Sequence, residues 1–286
     1  MHPQWARLRE ALDDPASDRT RLVSRADAVG GLVARGDCAI GLLPVEAIDD
    51  VVAAYARASD GEKLSQLVYV LIQAELAYSE PFAALVDALA AMPDRASRRF
   101  AVQLWMDLDD EVHAPRALAL IQDLCRDDAD GSAHALFGFM AQRGYAVPQD
   151  AAENARLQAI AAERGNTDAM FELSALAYNG ALGPRDMAIV LRWCREAAER
   201  GHPRACYSLG AFYATGQGLA VDPARALDWY LRASAAGHGK ASATAGIMVA
   251  RGEGTAPDRQ RADQLLALAE SQGFDPAPLL EEAGLS

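Results

Sequence analysis

Lysine is almost missing from this chain of 286 residues. Lys63 and Lys240 are the only two, and arginine supplies nearly all the positive charge, a bias that fits a GC-rich bacterial genome. Positive charge is itself in short supply, with 27 basic against 40 acidic side chains and a formal net charge of −13. An acidic surface repels phosphate backbones, so nucleic acid is not an expected partner. Cysteine is sparse too. Cys38, Cys125, Cys194 and Cys206 form no CxxC pair, which argues against a disulfide framework or a zinc site and for a reducing compartment. The longest apolar runs, such as Leu67 to Ile72, are far too short to span a bilayer. The opening MHPQWARLREALDD places charges where a signal peptide needs an apolar core. Together these absences lead us to expect a soluble cytoplasmic protein without a membrane partner.

What the chain does have is a period. Gly144, Gly180, Gly216 and Gly252 stand 36 residues apart, as do Gly165, Gly201, Gly237 and Gly273, and as do Asp150, Asp186, Asp222 and Asp258. A fixed repeat of this length marks a solenoid, in which each unit buries its apolar face only against its neighbours. Abundant alanine, leucine and arginine, with aromatics at only 7%, suit tightly packed helices. The expected fold is all-α: a right-handed α-solenoid of stacked helix-turn-helix repeats.

Residues 204–239 show the unit most clearly. Cys206, Leu209, Gly210 and Tyr213 fall at steps of three and four residues, the period of one helix face. Gly216 supplies a left-handed helix end. Asp222 and Pro223 then cap and start the second helix, whose stripe is Ala226, Trp229, Tyr230 and Ala233. The columns Gly138, Ser174, Gly210, Gly246 and Ala161, Ala197, Ala233, Ala269 keep the contacting faces small. The segment LGAFYATGQGLAVDPARALDWYLRASAAGH resembles the Sel1-like repeat, a relative of the tetratricopeptide repeat. Residues 168–203 match the same pattern well, whereas 132–167 and 240–275 are degenerate and lack its tryptophan. The resemblance implies an adaptor or scaffold. In bacteria it also extends to host-interaction factors and to immunity proteins that neutralise secreted toxins.

The expected organisation is four repeats over 132–275, a capping helix over 276–286, and a diverged helical region over 1–131. In that region Pro44, Pro81 and Pro115 each open an apolar helix-like run, VEAIDDVVAAYA, FAALVDALAA and RALALIQDL. Their rhythm continues that of the repeats, so this half is either more solenoid or a separate helical domain. Its 23 acidic and 13 basic side chains hold most of the excess negative charge. That surplus either steers a basic protein partner or serves solubility.

Catalytic signals are weak. GQG at 216–218 and GEG at 252–254 follow helices instead of strands and lack the third glycine of a nucleotide loop. No GxSxG or Ser-x-x-Lys occurs, so the β-lactam hydrolysis linked to some relatives finds no support here. Asp107 to His113 lacks calcium-loop and HExxH spacing and reads as a solvated loop. His113 and His134 show no partner, and His202 and His238 read as structural groups at helix C-termini. Asp123, Asp127, Asp128 and Asp130 close a helix against its dipole, a hint of something basic docking there. No catalytic residue, cofactor or metal is expected. If the first helix of each unit lines a groove, its binding residues are Phe139, Gln142, Arg143, Phe171, Tyr178, Asn179, Tyr207, Thr215, Ile247 and Arg251. The expected function is binding of a protein or peptide there. The alternative is an enzyme or small-molecule binder with a site in the N-terminal half.

Overall fold

A computed structural model describes residues 3–34, 46–73 and 80–285; Cys38 and Pro44 lie outside them. All sixteen regular elements among the described residues are α-helices. They fall into two compact units, Met1–Asp127 with Arg143–Gln149, and Asp128–Gln142 with Asp150–Ser286.

The first unit holds α1 (Pro3–Asp13), α2 (Arg19–Ala34), α3 (Glu46–Arg57), α4 (Gly61–Gln73), α5 (Glu80–Ala90), α6 (Arg95–Asp107) and α7 (Ala114–Arg126). The runs expected after Pro44, Pro81 and Pro115 are α3, α5 and α7. Each helix packs on the next, and α1 on α3, α3 on α5, α2 on α4 and α4 on α6. Large side chains fill this core, among them Leu8, Leu22, Ile48, Leu64, Leu85, Phe82 and Trp105, all nearly inaccessible.

The second unit comprises four hairpins and a final helix. They are α8 (Ser132–Arg143) with α9 (Ala151–Glu163), α10 (Thr167–Tyr178) with α11 (Met187–Glu199), α12 (Pro203–Thr215) with α13 (Pro223–Ala235), α14 (Gly239–Arg251) with α15 (Arg259–Ser271), and α16 (Ala277–Ala283). Its core is made largely of alanine, so helix axes approach closely.

The period comes from caps. Asp150, Asp186, Asp222 and Asp258 are the N-caps of the second helices, each carboxylate accepting from a backbone N–H in the first turn. Each such cap is worth about 1 kcal/mol. The column Gly165, Gly201, Gly237 and Gly273 closes the second helices in a single motif. Asn166, His202, His238 and Phe274 donate their N–H to the carbonyls of Ala161, Ala197, Ala233 and Ala269, at 3.0–3.1 Å. The glycine just before each donor has φ between 78° and 94°, and its own N–H returns to the carbonyl three residues earlier. This is a Schellman closure, and the left-handed backbone is why glycine recurs there.

Candidate functional site

The first helices α10 and α12 frame an open groove of about 270 Å³. Five of the expected residues meet there: Phe171, Tyr178 and Asn179 from α10, with Tyr207 and Thr215 from α12. Ser174, Ala175, Ser208, Ala211, Phe212 and Gln217 complete the lining. Sequence reasoning passed over these because most are small. The column Ala175, Ala211, Ile247, at 36-residue spacing, was the signal available for the floor.

The aromatic walls are held in place. The Tyr178 hydroxyl donates to Gln217 Oε1 at 3.1 Å. The Arg185 guanidinium lies 4.2 Å from the Tyr178 ring centroid and donates from Nε to the Tyr178 carbonyl. Phe171 stacks on His202 at 4.9 Å, and Tyr207 stacks on His238 at 4.8 Å. Arg204 and Lys240 lie over the same two rings, at 4.8 and 5.7 Å. Aromatic, histidine and cation thus recur together at a 36-residue offset, tying each first helix to the start of the next. The lining itself carries no formal charge, while Arg185, Arg204 and Lys240 stand beside it.

The two histidines act differently from the expected dipole role. They are the N-caps of α12 and α14, with Nδ1 accepting from Ala205 N at 3.1 Å and from Ala241 N at 3.2 Å. The remaining nitrogen of His202 donates to Asp168 at 3.0 Å, and that bond holds the Asp168 carboxyl below its usual range. Burial lowers the His238 pKa, and repulsion from Arg204, Lys240 and His202 adds to the effect. The unfolded chain therefore takes up this proton more readily than the folded one, so acidification below about pH 6.5 costs stability. Asparagine fills the equivalent cap at Asn166. His238→Asn is therefore expected to keep stability at pH 8 within about 1 kcal/mol and to flatten the decline between roughly pH 7 and 5. Circular-dichroism melts across that range check it; an unchanged slope refutes it.

The other expected residues lie elsewhere. Ile247 and Arg251 line a second cavity, of about 350 Å³, with Leu279, Glu282 and Ala283 of α16. Phe139 is half-buried on α8 and lines neither cavity. Arg143 counts with the first unit, where it pairs with Asp107 at 3.1 Å. Gln142 is exposed, and its amide lies 3.4 Å from Glu172. Burial raises the pKa of Glu172.

Three readings need correction. His113 does have partners: its Nδ1 lies 2.7 Å from Asp110 and its ring stacks on Trp105 at 5.0 Å. His134 lies 2.7 Å from Asp128. Two members of the acidic cluster are engaged by the chain itself: Asp123 pairs with Arg98 and Arg126, and Asp128 is buried against the start of α8. Those two aspartates therefore do not need a basic partner to offset the helix dipole. Among the described residues no group of three or more His, Cys, Asp or Glu side chains is placed to hold a metal. Burial pushes the Cys194 thiol up to about 12 and raises Cys206 as well, so neither is a poised nucleophile.

The profile of the Sel1 repeat matches residues 167–202 and 203–238, the hairpins whose first helices frame the groove. Residues 167–238 are two Sel1 repeats. A Sel1 repeat protein from Oxalobacter formigenes is similar in structure, with TM-score 0.59 and 23% identity over 75% of this chain and 84% of that one. A protective antigen of uropathogenic Escherichia coli displaying an SLR fold gives TM-score 0.53 and 20% identity, over 78% of this chain and 48% of that one. At these identities the likeness is one of fold: an all-helical Sel1-type α-solenoid. No curated protein matches in sequence. Among the described residues no helix is long and apolar enough to cross a membrane. The flanking hairpins α8–α9 and α14–α15 share the Sel1 cap columns, although the profile does not reach them.

Proposed function

We propose that this chain is a protein-binding module, an adaptor or scaffold that takes a segment of another protein in the groove between α10 and α12. Sel1 repeats are typically protein–protein interaction modules. The observation that carries the reading is the clustering of Phe171, Tyr178 and Tyr207 around an open, uncharged floor. Rigid aromatics bring large contact area at little entropic cost and dominate interface energies. The finer possibility, an immunity or chaperone-like protein that neutralises a toxin or effector, draws support only from the family resemblance. Basic partner surfaces would be steered by the acidic first unit, not selected by the groove.

The test is capture and cross-linking in the native host, comparing the natural chain with the Tyr178→Ala, Tyr207→Ala double variant. The expected result is at least a tenfold loss of the captured protein, since an interface aromatic is commonly worth about 2 kcal/mol or more. Helical content should stay unchanged. Equal capture by the double variant would refute the groove as the binding face.

A further inference from the structure

The two cavities of the second unit are the same cavity repeated. The one under α16 is lined by Ala214, Thr244, Ile247, Met248, Arg251 and Glu253, together with Leu279, Glu282 and Ala283. Thirty-six residues earlier stand Tyr178, Ser208, Ala211, Phe212, Thr215 and Gln217, and all six line the open groove. In the later copy the chain's own C-terminal helix forms one wall of the site, which stays open at about 350 Å³. Leu279 of α16 is half-buried there, and the Arg251 guanidinium donates to the Ala283 carbonyl at the end of α16. The earlier copy uses the equivalent positions as its floor, and among the described residues its lining comes only from α10 with its cap Asn179, from α12 and from Gln217.

We infer that the groove between α10 and α12 receives a short amphipathic helix of a partner protein, with leucine-type side chains on one face, seated as α16 is seated one repeat later. This deepens the function proposed above and rests on it. Helix-in-groove recognition needs apolar anchors at three- and four-residue steps against an apolar floor. On α16, Leu279 and Ala283 provide such a step. The substitutions between the two copies say how the partner helix differs from α16. Ala214 gives way to Tyr178, and Phe171 and Tyr207 flank the open copy, whose cavity is the smaller at about 270 against 350 Å³, so compact apolar anchors of leucine size packed on aromatic rings are favoured. Arg251 and Glu253 give way to Thr215 and Gln217, so the polar end of the site is uncharged and makes no ion pair.

The probe is a fluorescent peptide of residues 274–285, held helical by a hydrocarbon link between the exposed positions 277 and 281. Linking removes the ordering cost that a helix this short otherwise incurs. Titrated with the full chain and followed by anisotropy, it should bind saturably with a Kd below about 100 μM. Thr215→Arg, at an exposed groove position, and Ala211→Arg, on the floor, should each weaken binding at least tenfold. Melting curves identify any variant that fails to fold. A peptide with Leu279 and Leu280 changed to serine should not bind. No saturation at about 1 mM peptide, or binding that survives both arginine variants, would overturn the inference. If the Tyr178 and Tyr207 changes reduce partner capture while the peptide fails to bind, the groove reading stands and the helix inference falls. Concentration-dependent self-association in sedimentation, abolished by Thr215→Arg, would give the groove to a second copy and also overturn it.

Discussion

Replacing Asp128 with alanine is expected to cost about 3–5 kcal/mol of stability. Its side chain is only 3% exposed and converges on the start of α8. One oxygen accepts from Ala133 N at 3.1 Å; the other accepts from His134 N at 2.9 Å and lies 2.7 Å from His134 Nδ1. Arg164 Nη1 lies 3.6 Å from the carboxylate and donates to the Asp128 backbone carbonyl at 2.9 Å. Truncation removes the helix cap and leaves the buried imidazole without its carboxylate partner, while Arg164 keeps the backbone carbonyl but loses the neighbouring negative charge. Losing one member of a buried charged network costs far more than the network adds, because the remaining groups stay desolvated. Asp128→Asn keeps one acceptor oxygen and should lose about half as much. Urea unfolding followed by circular dichroism measures both. A loss below about 1 kcal/mol for the alanine variant would mean that the site behaves as a surface pair.

The same residue shows what the sequence did not disclose. Asp128 lies five residues ahead of the N–H it receives, outside the usual spacing of a capping residue, so it was grouped with an acidic run. A clue was present. His134 occupies the column of Met170, Cys206 and Ser242, positions facing the core. A histidine in such a column is buried, and a buried imidazole requires a partner. The neighbouring columns carry a similar exception. Asn154 and Gln158, both fully buried, stand where the next repeat has Val190 and Cys194, and Gln158 Oε1 makes no hydrogen bond. The first hairpin, outside the residues matched to the Sel1 repeat, thus carries polar residues in core columns although its second helix keeps the aspartate cap.

By contrast, the helices, their starts and their ends were legible. Capping depends on residues within a few positions of one another, and such local chemistry repeats visibly. The groove was half legible for a related reason. Periodicity says which residues share a face, so Phe171, Tyr178 and Tyr207 could be placed together. It cannot say which face stays open. That α16 would line a cavity with Ile247 and Arg251, or that Arg143 would pair with Asp107, depends on contacts between segments far apart in the chain.

Gly210→Leu is expected to cost about 3 kcal/mol, at the upper end for overpacking. A Cβ at this position would lie 2.9 Å from two carbons of the Tyr230 ring and 3.2 Å from the Ala226 carbonyl oxygen. Tyr230 is buried, with burial raising its phenol pKa, and its ring packs against Tyr207 at 5.3 Å. The ring therefore cannot swing away freely, and the carbonyl belongs to α13 and cannot move without the helix. The glycine is required here for close approach, because its position lies mid-helix, where alanine would otherwise be preferred by about 1 kcal/mol. Equivalent columns agree: Gly246 would place a Cβ 3.2 Å from the Ala262 carbonyl, and Ser174, the one side chain tolerated, bonds the Val190 carbonyl at 3.0 Å. Gly210→Ala should therefore also destabilise, by roughly 1 kcal/mol, reversing the sign that helix propensity alone predicts. Because Tyr230 supports Tyr207, Gly210→Leu should also disturb the groove wall and weaken partner capture beyond the loss of folded protein. A Gly210→Ala variant more stable than the natural chain would show that the helices have room to separate, and the close-packing argument for this column would fail.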